Sequence, residues 1–377
     1  MRQPVQQSKR DFGMLDWENG SLNWGWQVQK QRTDLRRMAM ICLSTAAFMW
    51  VLLYAPTPYV VYEPGIAVPV KSMVSMEEGD RLGGGDFLLT AVKLTEPNFL
   101  HTFQSIWNSN MEVHLKRDVL RGYSKDQFAD RLNVIMQGSQ NNAIEAAYRY
   151  AGFPYESITN GIVISDVHVK EHAGSSSFKA GDRLLGFNGE KPVGSVTELL
   201  DKLQQTNKDK PVRFDIERSG KLLNVTFTAN IFDSAMTNEQ RLEAIGIMSL
   251  TELHSLEPAD EGKRLKITAG DIGGPSAGLV FALQAVDLLT KGDLSGGLRI
   301  AATGTITVDG KVGAIGGIRQ KIVIASKEGA QLFLAPADNF EVAEAKAKAL
   351  GTKMKVVSVR TLQEAVDHIQ AFHNAST

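Results

Sequence analysis

Residues 271–289 of the chain read DIGGPSAGLVFALQAVDLL, and this stretch decides the fold class. Its two glycines permit a sharp turn, Pro275 suits the first turn of a helix, and the apolar residues after Gly278 predict a buried helix. Ser276 would lie at the N-terminus of that helix, where backbone N–H groups and the helix dipole can stabilise an oxyanion. An ordinary serine N-cap fits the same pattern, so the stretch alone does not establish a nucleophile.

A nucleophilic serine needs a base, and residues 303–322, TGTITVDGKVGAIGGIRQKI, end close to a suitable lysine. A helix that starts near Ile318 would place Lys321 on one face with apolar residues, namely Ile318, Ile322 and Ala325. Burial lowers the pKa of a lysine, because the charged ammonium is penalised, and the free amine can then accept a proton. The alternative to a buried base is a surface lysine, whose apolar stem would lie along the protein while its ammonium group stays in water. None of the seven histidines lies near Ser276 in sequence.

These motifs together resemble the proteolytic domain of Lon-type serine peptidases, which use a Ser-Lys dyad. GGPSAG, TGTIT, GKVGAIGG and GGIRQK occur in the family's order. The resemblance implies that Ser276 is the nucleophile, that Lys321 is the general base and that the Thr303 hydroxyl helps to hold the lysine. No cofactor and no metal ion are expected.

The turn around the serine is expected to hold the oxyanion, through Gly274, Pro275 and Ala277. Two positions depart from the family pattern. Thr305 stands where the family has an acidic residue, and Gly273 stands where it has an aspartate, Asp271 lying two positions earlier. These departures concern the surroundings of the dyad.

A compact β-rich module precedes the serine. Strands are predicted at residues 162–169, 183–187, 212–218 and 222–228 around a helix in SVTELLDKLQQ. The module resembles a PDZ domain of the bacterial protease type. That resemblance implies that Asn160, Gly161, Ile162 and Val163 present N–H groups to a peptide carboxylate and that the peptide adds as an extra strand. A PDZ-like spacer that binds nothing is the alternative.

The resemblance to Lon extends to residues before the PDZ-like module. GGDFLLTAV at 84–92 resembles the family's first strand, and VIMQGSQNNAIEAAYRYAG at 134–152 resembles the helix with its Met-Gln-x-Ser pattern. Ser124 and Gln127 form a capping box that starts this helix, and Gly138 is a point where it could break. We therefore expect a PDZ module inserted into a discontinuous catalytic domain. A plain series of stalk, PDZ and protease is the alternative.

One motif resembles a metal site. His168, Glu171 and His172 fit the H-x-x-E-H pattern of certain zinc peptidases, in which a helix brings the two histidines together. Here the pattern leaves a predicted strand and enters a Gly-Ser loop, so we expect no metal there.

Residues 38–55, MAMICLSTAAFMWVLLYA, contain no charge and would form a helix about 27 Å long, close to the thickness of one bilayer core. Lys30, Arg32, Arg36 and Arg37 precede the run, whereas Lys71 is the first basic residue after it. The positive-inside rule then places the N-terminus in the cytoplasm and the remainder outside. The whole set from the stalk to the C-terminus resembles the membrane-anchored PDZ/Lon peptidases of bacteria, which implies a bacterial cell membrane. A cleaved signal peptide and a buried helix are the alternatives to this signal anchor.

The composition restricts the partners. The 377 residues carry 41 Lys plus Arg and 42 Asp plus Glu, a net charge of -1, so no nucleic-acid partner is expected. The single cysteine, Cys42, cannot form an intrachain disulfide. The Gly-Lys pairs at Gly220, Gly262 and Gly310 are not followed by Ser or Thr, so no P-loop and no nucleotide are expected.

The expected architecture is α+β, a Lon-type domain with an inserted PDZ domain behind one transmembrane helix. The predicted segments are a cytoplasmic tail (1–37), the signal anchor (38–55), an extended stalk (56–79), the first catalytic part (80–155), the PDZ domain (156–230) and the second catalytic part (231–377). The expected function is ATP-independent cleavage of extracytoplasmic peptides or small proteins, with substrates selected by the PDZ domain. A catalytically silent adaptor that binds peptide C-termini is the alternative. Lon-type domains often form rings, which is compatible with a homo-oligomer.

Overall fold

The computed structural model describes residues 17–78, 83–168, 178–190, 194–206, 210–228, 232, 235–270 and 272–376. The chain forms two compact units, one comprising the residues up to 57 together with 97–103, and the other comprising 58–96 and 104–377.

A long N-terminal helix dominates the first unit. Helix α1 covers Trp17–Tyr54, and its residues 32–54 are apolar enough and long enough to cross a membrane. Beyond its end, the Asn98 side chain donates a hydrogen bond of 2.9 Å to the Leu53 carbonyl. The Thr57 hydroxyl donates to the Pro97 carbonyl at 2.8 Å. The end of α1 is thus joined to the segment around Asn98.

The second unit begins with strands β1 (Tyr59–Pro69), β2 (Val74–Met76) and β3 (Asp86–Thr95). Helix α2 (Phe99–Trp107) follows in the chain, and its residues up to 103 belong to the first unit. Strand β4 (Glu112–Leu115) and helix α3 (Lys116–Leu120) continue the second unit. β1 pairs antiparallel with both β3 and β4. The prediction of an extended stalk over 56–79 is therefore wrong. Its prolines are accommodated because Pro64 lies at a register shift and Pro69 ends the strand, where a missing N–H is tolerated.

Helix α4 (Lys125–Ala151) leads into the PDZ part of the chain. Ser124 and Gln127 form the predicted capping box at its start. Gly138 does not break α4. A Cβ atom there would lie 2.9 Å from the Thr251 methyl group, so the glycine permits close packing against a neighbouring strand.

The PDZ part consists of β5 (Tyr155–Val167), β6 (Arg183–Phe187), α5 (Val196–Gln204), β7 (Val212–Arg218), β8 (Lys221–Phe227), α6 (Asn238–Ala244) and β9 (Ile247–Pro258). Its five strands lie in the order β8-β7-β6-β5-β9 around a core that includes Ile162, Leu199 and Phe214. Since β9 pairs along the length of β5, this sheet extends beyond the predicted boundary at residue 230.

The remaining elements are β10 (Leu265–Ile267), α7 (Gly278–Leu289), β11 (Arg299–Ala302), β12 (Thr305–Ile306), β13 (Val312–Gly313), α8 (Ile318–Lys327), β14 (Leu332–Pro336), α9 (Phe340–Leu350), β15 (Lys355–Val359) and α10 (Leu362–Ser376). The main sheet has the order β15-β14-β11-β3-β1-β4. β11 pairs parallel with β3, so this sheet unites strands from both sides of the PDZ part in sequence.

The two faces of the main sheet carry different helices. Leu89, Ile300 and Ala302 pack in one core with α7, whose residues are all buried. Leu88 and Ala301 point the opposite way and pack with α8, because side chains alternate along a strand. The sheet therefore lies between α7, which directly follows the turn with Ser276, and α8, which contains Lys321.

Candidate active site

Ser276 is held by a tight turn at the start of α7. Residues Pro275–Ala277 form a 3-10 turn that leads directly into the helix. Gly274 precedes it with a φ of 95°, a conformation that glycine adopts without strain, and its amide donates to the Leu132 carbonyl at 3.2 Å. The side chain of Ser139 donates to the Pro275 carbonyl at 3.1 Å. This serine belongs to the Met-Gln-x-Ser pattern, and its contact anchors the turn to α4.

Lys321 lies in the first turn of α8 with only 3% of its surface exposed. The helix face formed by Ile318, Ile322 and Ala325 is buried as the sequence predicted. The Lys321 amine lies 3.2 Å from the Ser276 hydroxyl and donates to the Thr90 carbonyl of β3. Burial lowers the pKa of Lys321 to about 7. The structure thus brings together a hydroxyl and an amine that can be neutral near physiological pH.

Thr303 follows β11, and its hydroxyl donates to the Ser276 carbonyl at 3.0 Å. The Gly304 amide donates to the same carbonyl at 2.9 Å. The implied contact between the Thr303 hydroxyl and the lysine is therefore wrong for this structure, where Thr90 provides the lysine's carbonyl partner. Sequence reasoning missed Thr90 because a backbone carbonyl leaves no signal in residue type.

The three residues predicted to form the oxyanion turn differ in what they can donate. The Gly274 amide already donates to Leu132, and Pro275 has no N–H. Ala277 lies in the first turn before α7, where amides have no intrahelical acceptor. Among the three, Ala277 is therefore the candidate donor, and Gly274 and Pro275 shape the turn.

The departures from the Lon pattern lie beside the dyad. A Cβ atom at Gly273 would lie 3.1 Å from that of Leu132, so a larger side chain there would require Leu132 to move. Thr305 lies half-buried in the short β12–β13 hairpin. Asp271 lies outside the residues that the structure describes.

A cleft of about 540 Å³ opens next to Ser276 and Lys321. Most of its side chains are apolar and come from β1, β3 and α4; they include Ile66, Leu89, Val92, Phe128, Leu132 and Met136. No histidine is among the described residues that line it. The cleft therefore suits apolar side chains of an extended chain, and the lysine is the base within reach of the serine.

The residues predicted to bind a peptide in the PDZ domain lie on β5. Ile162 pairs with Leu184 of β6 on one side and with Glu252 of β9 on the other. Val163 is likewise paired on both sides. The expectation that a peptide adds along this strand is therefore wrong, because neither residue has a free strand edge. Asn160 and Gly161 precede them in β5, and the Asn160 carbonyl accepts a hydrogen bond of 2.6 Å from Arg183.

The H-x-x-E-H pattern can be placed only in part. His168 follows β5, and its amide donates to the Gly246 carbonyl at 2.9 Å. Glu171 and His172 lie outside the described residues.

Comparison with protein families finds two domains. Residues 265–371 match the Lon protease (S16) C-terminal proteolytic domain, and residues 150–228 match a PDZ domain. The chain contains a Lon-type proteolytic domain and a PDZ domain. The match to the Lon-type domain includes Ser276, Thr303 and Lys321, whereas β1, β3 and most of α4 lie outside both matched ranges.

Relatives of the Lon-type domain include the Lon protease of Trichlorobacter lovleyi, 36% identical over 91 residues that cover 24% of this chain and 11% of that protein. The Lon protease of Xanthomonas oryzae is 28% identical over 185 residues, which cover 47% of this chain and 21% of that protein. The mitochondrial Lon protease homolog of Emericella nidulans is 46% identical over 66 residues, 18% of this chain and 6% of that protein. The chain thus matches about a fifth or less of the length of these relatives.

Proposed function

We propose that this chain is a membrane-anchored serine endopeptidase in which Ser276 is the nucleophile and Lys321 the general base. The observation that carries the proposal is the buried Lys321 amine 3.2 Å from the Ser276 hydroxyl, with a pKa lowered to about 7. A binding shell alone would gain nothing from a desolvated amine beside a serine, since burying a cationic group costs free energy.

Cleavage would proceed through an acyl-enzyme. The Ser276 oxygen attacks the peptide carbonyl carbon while its proton passes to the neutral Lys321 amine. The Ala277 and Ser276 amides would hold the oxyanion, and the lysine would then give its proton to the leaving nitrogen as the C–N bond breaks. In the second half, the neutral amine takes a proton from water, whose oxygen attacks the ester carbonyl carbon. The bond between the acyl carbon and the Ser276 oxygen then breaks, the lysine returns its proton to that oxygen, and the new carboxyl terminus is released.

The substrates would be extended peptides or small proteins outside the cytoplasm. The basic residues before the apolar part of α1 favour a cytoplasmic N-terminus, which would place both matched domains outside. The sequence contains no P-loop, so we propose that this chain cleaves without ATP. The open apolar cleft beside Ser276 supports substrates that are already unfolded, because their side chains can enter it directly.

The PDZ domain would select substrates by strand addition. In its sheet the described edge strands are β8 and β9. We favour β9, because it lies beside a helix: the Val196 amide, at the start of α5, donates to the Glu252 carboxylate of β9 at 2.6 Å. A strand edge next to a helix offers main-chain hydrogen bonds together with side-chain contacts for a peptide.

A serine-reactive fluorophosphonate probe, read by intact mass, tests the dyad. The wild-type protein should gain one adduct that maps to Ser276, and Ser276→Ala should gain none. Lys321→Met keeps an apolar stem but removes the base, so labelling should fall to background. Lys311→Met is the matched control, because Lys311 is exposed in the β12–β13 turn, and it should label fully. An unlabelled, folded wild type would reject the proposal and favour a silent adaptor.

A further inference from the structure

Helix α2 has an unusual distribution of side chains. Its exposed residues are large and apolar: Phe103 is 59% exposed, Ile106 is 65% exposed and Trp107 is 69% exposed. Its buried residues are small and polar, with Thr102 at 7% and Ser105 at 1% exposure. A helix on the surface of a water-soluble domain normally shows the opposite arrangement.

The exposed residues form one continuous face. Phe99, Phe103, Ile106 and Trp107 follow the i, i+4, i+7, i+8 spacing of a helical stripe, and Leu100 borders it. Phe99 and Leu100 are each 38% exposed. We call these five residues the apolar face of α2. An apolar surface of this kind marks an interaction site.

The start of α2 is joined to the end of the candidate membrane helix. The Asn98 side chain bonds the Leu53 carbonyl at 2.9 Å, and the Asn98 side-chain oxygen accepts the His101 amide at 2.8 Å in the first turn of α2. The Thr57 hydroxyl bonds the Pro97 carbonyl at 2.8 Å. If α1 crosses a bilayer, α2 therefore begins at the level where the apolar run of α1 ends, which is the boundary between acyl chains and headgroups.

We propose that α2 lies in the outer lipid–water interface, with its apolar face against the acyl chains. The partner is the lipid surface itself, since hydrogen bonds of Asn98 and Thr57 join the start of α2 to the end of the proposed membrane anchor. Tryptophan is a preferred residue at this depth, and Trp107 ends the helix. Residues 97–111 contain no Asp, Glu, Lys or Arg, so the contact relies on apolar burial and needs no anionic lipid.

Site-directed spin labelling of the full chain in phosphatidylcholine vesicles tests this proposal, which rests on the proposed membrane anchoring. In a Cys42→Ser background, single cysteines replace Phe103, Trp107, Gln104 or Phe48 and carry a nitroxide. The measured quantity is the ratio of collision rates with oxygen, which enriches in lipid, and with a water-soluble nickel chelate. Phe103→Cys and Trp107→Cys should give a ratio several-fold above Gln104→Cys, because Gln104 is exposed on α2 outside the apolar face.

Phe48→Cys separates the two proposals, because it reports on α1 alone. A lipid-like ratio at 48 with water-like ratios at 103 and 107 would overturn the interfacial position of α2 and leave the anchor intact. A water-like ratio at 48 would reject the anchor, while the labels at 103 and 107 would still decide whether α2 meets lipid. Low collision rates with both reagents at 103 and 107 would mean that protein covers the face, which also overturns the proposal. Anionic lipid added to the vesicles should leave the collision-rate ratios at 103 and 107 unchanged, because the proposed contact relies on apolar burial.

Discussion

At the residue scale, the proposed general base, Lys321, predicts how cleavage should depend on pH. Burial lowers its pKa to about 7, and the amine can accept the Ser276 proton only when it is neutral. The acylation rate should therefore rise about tenfold per pH unit on the acid side and level off above the pKa. Fluorophosphonate labelling rates from about pH 5 to 9 measure this. A rate that still rises about tenfold per pH unit at the upper end of this range would indicate an ordinary lysine pKa of about 10.4 and contradict a buried base.

Thr303 offers a second prediction at this scale. Its hydroxyl bonds the Ser276 carbonyl, so Thr303→Val should loosen the backbone of the proposed nucleophile and lower the acylation rate roughly 10- to 100-fold. The pH midpoint should stay unchanged, because the hydroxyl does not hold the lysine in this structure. Thr305→Val is the matched control and should change the rate little. If Thr303→Val shifted the pH midpoint of the acylation rate, this would instead support the role that the family resemblance implied, in which the Thr303 hydroxyl helps to hold Lys321.

At the element scale, strand β5 is tied to α4 through a buried carboxylate. Asp166 accepts hydrogen bonds of 2.7 Å from both Tyr123 and Arg131, and Arg131 lies on α4. Asp166→Asn should lower the free energy of unfolding by about 1–3 kcal/mol, because it leaves the Arg131 charge without its partner. Asp309→Asn removes an exposed partner of Arg149 and should cost less than about 1 kcal/mol. Urea unfolding at neutral pH measures both changes.

The same contact predicts a pH dependence of stability. Burial would raise the pKa of Asp166, but the hydrogen bonds from Arg131 and Tyr123, with the nearby arginine charges, bring it below its usual value. A carboxylate with a lowered folded pKa stabilises the protein fully above its unfolded pKa of about 4, and this stability is lost as pH falls through the folded value. The difference between wild type and Asp166→Asn should therefore shrink in acid. If the stability difference between wild type and Asp166→Asn stayed constant as pH falls, ionisation of Asp166 would be excluded as its source.

The sequence predicted elements best where a local signal determined them. The capping box at Ser124 and the apolar face around Lys321 were predicted correctly, because caps and helical periodicity depend on residues close in sequence. The prolines of 56–79 misled the prediction, since whether a proline-rich segment joins a sheet depends on a distant partner such as β3. The pairing of β9 with β5 was missed for the same reason, as β9 comes from residues after the module.

At the scale of the whole molecule, the main sheet makes the catalytic fold dependent on residues far apart in sequence. β11 pairs with β3, and the Lys321 amine donates to Thr90 of that same strand. The turn before Ser276 is held by Leu132 and Ser139 of α4. Only the family resemblance, not the residue pattern, indicated this discontinuity, because strand pairing across an inserted module leaves no local signal.

A fragment of residues 231–377 should therefore fail to fold. It retains α7, α8 and both dyad residues but lacks β1, β3 and α4, so the apolar faces of α7 and β11 would lie open to water. Circular dichroism should show no cooperative thermal transition for the fragment, whereas residues 58–377 should show one. Adding residues 58–155 as a separate chain should restore the transition and the labelling of Ser276, because the missing strands pair through the main sheet. A cooperative transition in the fragment alone would mean that the second part is an autonomous domain.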